Sequence, residues 1–392
     1  MTARIDLPLA YCMNVHGGRC FEDLMQNLEI FAAPIRQQSC QPEELMGVGL
    51  WLSQAVLEDI LVDWAKVGLL KNKIKTLGLV AYTLNGFPQG DFHQAVVKQK
   101  VYQPAWHQSQ RLNYTKGLVR VLVALLEPGQ SGSISTLPLG WQAHISPAQA
   151  TRCAENLLEM ARYLKEVHTV TGRCIYLAIE PEPGCYLDTC QDVITFYEQH
   201  LFKHEDPEMV SQYLRVCHDV CHASVMFESQ KKVLDRYDAA GIRVGKIQLS
   251  NAIDMDLRNM NRDQKQKAIS QLKAFSEDRY MHQCGVIDHL GDFKLVDDLP
   301  LLLNNQSLCD QACRIRVHFH VPVFVEKLTP LATTRHELEA CLRIIQSKQQ
   351  CGWEGHLEIE TYAWHVLPKG MVQEDLIAGI AKEMRWVKDF LI

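Results

Sequence analysis

Short apolar runs and amphipathic stretches alternate along the whole chain. Leu7–Val15 reads as a strand, and Cys20–Gln38 follows with Phe21, Leu24, Met25, Leu28, Phe31 and Ala32 at the spacing of one helix face. A second amphipathic run over Pro42–Val67 predicts a helix, and Lys75–Leu84 a second strand. Further strands are predicted at Gly132–Leu137, Cys174–Glu180, Tyr213–Asp219, Val244–Leu249, Ile315–His320 and Leu357–Glu360. Helical patterns separate them at 115–127, Pro147–Val170, Thr189–Phe202, Phe227–Ala240, 262–278, 293–303 and Thr333–Ser347, and a closing helix covers Gln373–Phe390. Eight strands alternating with helices predict an α/β fold, and that count favours a closed (β/α)8 TIM barrel over an open doubly wound sheet. A single domain over 1–392 is expected, with long insertions after the second and sixth strands, at about 86–131 and 250–314. Such segments commonly build or cover the active face of a barrel.

Strand parity predicts what the barrel holds. Alternate residues share a face, so an inward Glu360 brings Glu358 and His356 with it. The same parity turns inward Tyr176, Ala178 and Glu180, then Arg215, Cys217 and Asp219, then Lys246, Gln248 and Ser250, and then Arg316, His318 and His320. His318 or Lys246 can neutralise Glu358 deeper in the barrel. Glu180, Asp219, Gln248, His320 and Glu360 are left as a ring at the C-terminal strand ends, where barrel enzymes place their chemistry. His222 follows Asp219 by three residues and can reach the same cation. Converging carboxylates repel unless a proton or a cation intervenes, and oxygen-rich ligation with imidazole suits Mn²⁺, Mg²⁺, Fe²⁺ or Zn²⁺. The alternative has each acid paired with Arg19, Arg111, Arg316 or Lys246 around an empty mouth. His16, at the end of the first strand, is better placed than His93 or His365 to join a site. Trp106, Trp141 and Trp364 are either walls for a ring-shaped ligand or core.

Composition narrows the classes. A net charge of −6 without a Lys/Arg cluster argues against nucleic acid and anionic membranes as partners. No apolar run approaches the ~18–20 residues that span a bilayer, and the first residues lack the pattern of a signal peptide. Fourteen cysteines scattered singly fit reduced thiols in a cytoplasmic protein. Cys217 and Cys221 are the pair to consider as thiolates, with packing as the alternative. Gly47-Val-Gly49 lacks the spacing of a dinucleotide loop.

The segments Ile179-Glu180-Pro-Glu-Pro-Gly, Asp219-x-x-His222 and Leu357-Glu-Ile-Glu360-Thr resemble strand ends of the xylose-isomerase-like TIM barrels. More narrowly, Tyr82–His93, Gly132–Trp141, Val317–Pro322 and Glu360–His365 resemble EboE, the metabolite traffic protein of the bacterial ebo operon. The resemblance implies carboxylate ligands at Glu180, Asp219 and Glu360, with His222 and His320 at further ligand positions. His16, Asn85, Trp141, Glu182 and Trp364 are candidate substrate contacts. It also implies a cytoplasmic role in handling a small metabolite, in cyanobacteria linked to export of a scytonemin precursor. One position departs from the pattern: Gln248 stands where the superfamily has a metal-binding histidine. A glutamine oxygen ligates a hard cation more weakly, which favours Mn²⁺ or Mg²⁺ over Zn²⁺ unless His320 compensates.

The expected function is that of a divalent-metal-dependent isomerase or epimerase for a small polyhydroxylated or hydroxy-carbonyl metabolite. Glu180 and Glu360 would form the acid–base pair, and one cation would be held by Glu180, Asp219, His222, Gln248, His320 and Glu360. The alternative is a binding protein that kept the barrel and carries a metabolite without turning it over. An oligomer is compatible with either.

Overall fold

The computed structural model describes residues 8–350, 353–368, 370 and 374–391, so the predicted starts of the first strand at Leu7 and of the last helix at Gln373 lie outside the described residues. Seven parallel strands come first: β1 (Leu9–Cys12), β2 (Met46–Trp51), β3 (Leu79–Asn85), β4 (Ser131–Thr136), β5 (Cys174–Ile179), β6 (Leu214–Asp219) and β7 (Val244–Leu249). An insertion then adds β8 (Asn251–Asp256), β9 (Cys284–Asp288), β10 (Phe293–Val296), β11 (Ala312–Val321), β12 (Lys327–Leu328) and β13 (Leu331–Thr333). The chain returns to the barrel as β14 (His356–Ile359), which pairs with both β1 and β7 and closes an eight-stranded parallel barrel. This is the (β/α)8 TIM barrel expected from the alternating pattern.

Two strand assignments change. Met46–Trp51 is a barrel strand, not part of a helix; the helices lie on at Gln54–Val62 and Ala65–Thr76. Its Gly47 and Gly49 leave room on the inward face, since a methyl at Gly49 would lie on the Glu358 carboxylate and one at Gly47 against the Tyr82 hydroxyl. The other change concerns Ile315–His320, which belongs to β11 of an antiparallel sheet ordered β10-β9-β11-β8-β13-β12 and not to the barrel. Residues 293–303, read as helical, divide into β10 and a short helix at Leu299–Leu303.

The barrel interior is polar at depth. Lys246 and Glu358, both fully buried, pair at 2.7 Å, so Lys246 and not His318 neutralises Glu358. His356 Nδ1 meets Ser133 Oγ at 2.8 Å, and the Tyr176 hydroxyl donates to the Gly245 carbonyl at 2.7 Å. Each of these groups finds a partner, as burial of polar groups requires. Outside this layer, Leu, Val and Ile side chains of the strands pack on the surrounding helices. The insertion has an apolar core of its own, in which Ile253, Val286, Ile315, Val317 and Phe319 take part.

Candidate metal centre at the barrel mouth

Asp219 ends β6 and caps the short helix that follows, its Oδ1 accepting the His222 N–H at 2.9 Å and the Ser250 hydroxyl at 2.8 Å. The cap explains the Asp-x-x-His spacing: closing the first turn onto Asp219 carries the His222 ring to the same side. Glu180 follows β5 and Glu360 follows β14. Glu180, Asp219 and Glu360 are buried and each offers a carboxylate oxygen within 4.8 Å of the other two. Glu360 Oε1 accepts amide protons from Asn14 at 2.7 Å and Asn85 at 2.8 Å.

None of these acids has a lysine or arginine at ion-pair distance among the described residues. Arg19 pairs with Asp91, Arg316 with Glu337, and Arg111 donates to the carbonyls of Pro104, Gly86 and Phe87. The electrostatics follow. Burial, then Glu360 and Asp219, push the Glu180 carboxyl well above its usual range. Burial, then Asp219 and Glu358, raise Glu360 to about 8. Asp219 goes the other way: burial works against its charge, but His222, His320 and its two hydrogen bonds hold it below the usual carboxylate range.

Three histidines face the acids, and the backbone and Gln283 fix their tautomers. His222 Nδ1 lies 2.8 Å from the Pro181 carbonyl, and His320 Nδ1 2.6 Å from the Glu360 carbonyl. His318 Nδ1 lies 2.7 Å from Gln283 Oε1. The Gln283 amide is oriented by three acceptors around its nitrogen: Tyr102 Oη, Glu182 Oε1 and the Pro183 carbonyl. A carbonyl can only accept, so each ring keeps its proton on Nδ1 and presents an Nε2 lone pair. Those of His222 and His320 lie 4.0 and 3.9 Å from Asp219 Oδ2. His318 Nε2 and His320 Nε2 are 3.2 Å apart. Burial brings His320 down to about 4 and holds His318 well below its ordinary value, so both rings are neutral at pH 7.

Two facing lone pairs, together with the unpartnered buried atoms Glu180 Oε2 and Asp219 Oδ2, are what a cation would satisfy. The residues therefore fit a divalent metal. The arrangement can hold a cation, hold protons on Glu180 and Glu360, and accept polar groups of a ligand beside them.

The sequence-predicted residues distribute as follows. Glu180, Asp219, His222, His320 and Glu360 come together, Asn85 is bonded to Glu360, and Glu182 lines the same cavity beside His222 and His318. Gln248 lies in register between Asp219 and Glu358, with both side-chain polar atoms buried and unpartnered. His16 stacks on Phe31 at 4.2 Å, away from the cavity lining. Trp141 packs on Tyr102 and Gly184, Trp106 bonds Thr136, and Trp364 donates to Glu383 and covers Gly379. These three indoles belong to the packing and not to the cavity wall. Cys217 is buried; Cys221, also buried, lies close to His318 and His320. Sequence reading passed over Asn14, Tyr102, Gln283 and Tyr362 as site residues, and took His318 for a barrel residue. Asn14 carried a signal, sitting just after β1, and Tyr362 lies two residues beyond Glu360 in a short 3-10 helix; Gln283 arrives from an irregular segment and carried none.

No protein-family model and no curated protein matches the sequence. Solved structures do. A xylose isomerase-like TIM barrel protein from Mycobacterium smegmatis, in complex with magnesium, aligns over 98% of this chain and 97% of that one, with a TM-score of 0.54 and 10% identity. A D-tagatose 3-epimerase-like protein aligns over 98% and 97%, with a TM-score of 0.48 and 10% identity. The IOLI protein with a binding zinc atom aligns over 98% of both chains, with a TM-score of 0.47 and 12% identity. The first of these shows the fold, an eight-stranded TIM barrel.

Proposed function

We propose that the chain binds a divalent cation at Glu180, Asp219 and Glu360, with His222, His320 and the Gln248 oxygen as further ligands, and isomerises or epimerises a small hydroxy-carbonyl metabolite. The observation that carries this reading is the convergence of three buried carboxylates without a lysine or arginine counter-charge in ion-pair reach among the described residues. A bound cation would polarise a substrate carbonyl and acidify the neighbouring C–H. Glu360 Oε1 is occupied by two amides, which leaves Oε2 to gain or lose a proton. Glu180 approaches from a different strand end, so the two carboxyls can serve as acid and base. Ser250 and the His222 N–H hold Asp219 in place, and the second sheet brings His318 and His320 over the mouth. The mixed oxygen and nitrogen donors suit Mn²⁺ or Fe²⁺, with Mg²⁺ and Zn²⁺ as the flanking choices.

A second reading rests on Gln248. An amide in the ring, unpartnered and a weak ligand, favours a protein that holds a metabolite without turning it over. The EboE resemblance points the same way, to metabolite traffic in the cytoplasm. Among the described residues no helix is long and apolar enough to cross a membrane.

The test is metal content by elemental mass spectrometry of protein purified without chelators, beside the Glu180→Gln/Asp219→Asn double variant. About one equivalent of metal, lost in the variant, is expected. Deuterium exchange from solvent into candidate ketoses then separates turnover from binding. Absence of metal from both proteins after incubation with Mn²⁺ would sink the isomerase reading.

A further inference from the structure

Resting on the metal-site reading above, we infer that the substrate joins its hydroxy-carbonyl head to an apolar body the size of an aromatic ring, and is not a free sugar. The cavity over the candidate metal centre has two unlike halves and about 520 Å³ of atom-free space, counting its open end. One half presents Asn14, Glu180, His222, His320 and Glu360. The other is carbon: Phe87, Phe92, Val97 and Val101 from the segment after β3, and Met281 from the insertion. Phe92 and Tyr280 lie 4.8 Å apart, Tyr280 and Tyr362 4.9 Å, and Tyr362 and His320 4.6 Å, so an aromatic wall runs from the opening to the histidines.

Two polar side chains along the carbon half are already engaged. Lys98 Nζ bonds Asp298 at 2.5 Å. Tyr102 Oη donates to Glu182 at 2.7 Å and accepts from Gln283 at 3.0 Å. A sugar carries a hydroxyl on nearly every carbon, and those turned to this wall would lose water without gaining a partner. Each such hydroxyl costs roughly fivefold to a hundredfold in affinity. A ligand with oxygens at one end and carbon at the other avoids that loss and covers the rings. The two segments that roof the mouth would therefore select the body, while the strand ends take the head.

The experiment uses a matched pair of probes on Mn²⁺-loaded protein: dihydroxyacetone, and 2-hydroxyacetophenone, which replaces one hydroxymethyl by phenyl. Isothermal titration is expected to give at least tenfold tighter binding of the phenyl probe, about 1.4 kcal/mol. In a Val101→Asn/Met281→Gln variant the preference should fall below about threefold while bound Mn²⁺ is unchanged. Equal or tighter binding of dihydroxyacetone, binding of neither probe to metal-loaded protein, or a preference that survives the double substitution would overturn the inference. Failure to retain Mn²⁺ with the phenyl preference intact would instead remove the metal reading and leave the shape of the ligand standing.

Discussion

Glu360 links the proton and the metal at the level of one carboxyl. Its folded pKa of about 8 stands above the ordinary 4.5, so the metal-free protein binds a proton that the unfolded chain has released. Between those values the folded state carries more protons, and stability of the metal-free protein falls as pH rises from about 4.5 through about 8. A cation at the site displaces that proton. Mn²⁺ binding should therefore tighten with rising pH and release protons near pH 7, which calorimetric titration in two buffers of different ionisation enthalpy would register. Equal heats in both buffers would contradict a raised Glu360. Lys246 and Glu358 give a second residue-level test below the site. Removing one partner of a fully buried pair strands the other, so Lys246→Met should cost about 3–5 kcal/mol in denaturant unfolding. The double change Lys246→Met/Glu358→Leu should recover most of it, because no uncompensated charge remains.

At the scale of elements, β2 accounts for the main misreading of the chain. Val48 and Leu50 alternate with Gly47 and Gly49, so the strand has side chains on its outer face and almost none on its inner one. Without polar residues to mark the alternation, the run merged with the helix that follows. The space is used by Glu358 and Tyr82, and only their positions reveal why glycine is there. Gly49→Ala should lower stability by about 1–3 kcal/mol through overpacking on Glu358. Gly68, in the helix Ala65–Thr76 with nothing near its Cβ position, is the control, where alanine should add about 0.5–1 kcal/mol. A null effect at Gly49 would mean that Glu358 moves freely. Strand β11 shows the opposite case. Its period of two was legible and turned Arg316, His318 and His320 to one face, but periodicity does not say which sheet a strand joins. The acids at strand ends were legible because each closes an apolar run; the partners that hold them, Asn14 and Gln283, depend on tertiary placement alone.

The barrel and the inserted sheet share the site, which has consequences for how the whole molecule should unfold. The acids come from β5, β6 and β14, while His318, His320 and Gln283 come from the insertion. Other ties run between them away from the mouth. Arg316 donates to the Ser224 carbonyl at 2.8 Å, and a methyl on Gly285 would strike the Val225 carbonyl. Buried Glu383, on the helix Leu376–Leu391, accepts from the Val323 N–H at 3.0 Å, the Thr361 hydroxyl at 2.6 Å and the Trp364 indole at 3.0 Å. One carboxylate thus joins the segment after β11, the segment after β14 and the last helix. Although the barrel and the insertion differ in their main apolar clusters, opening either would strand buried polar groups of the other, each costing about 1–3 kcal/mol. Calorimetry is therefore expected to show one cooperative transition, moved upward as a unit by Mn²⁺. Two transitions, only the barrel's responding to metal, would mean that the inserted sheet folds by itself and that its histidines add nothing to the cation's hold.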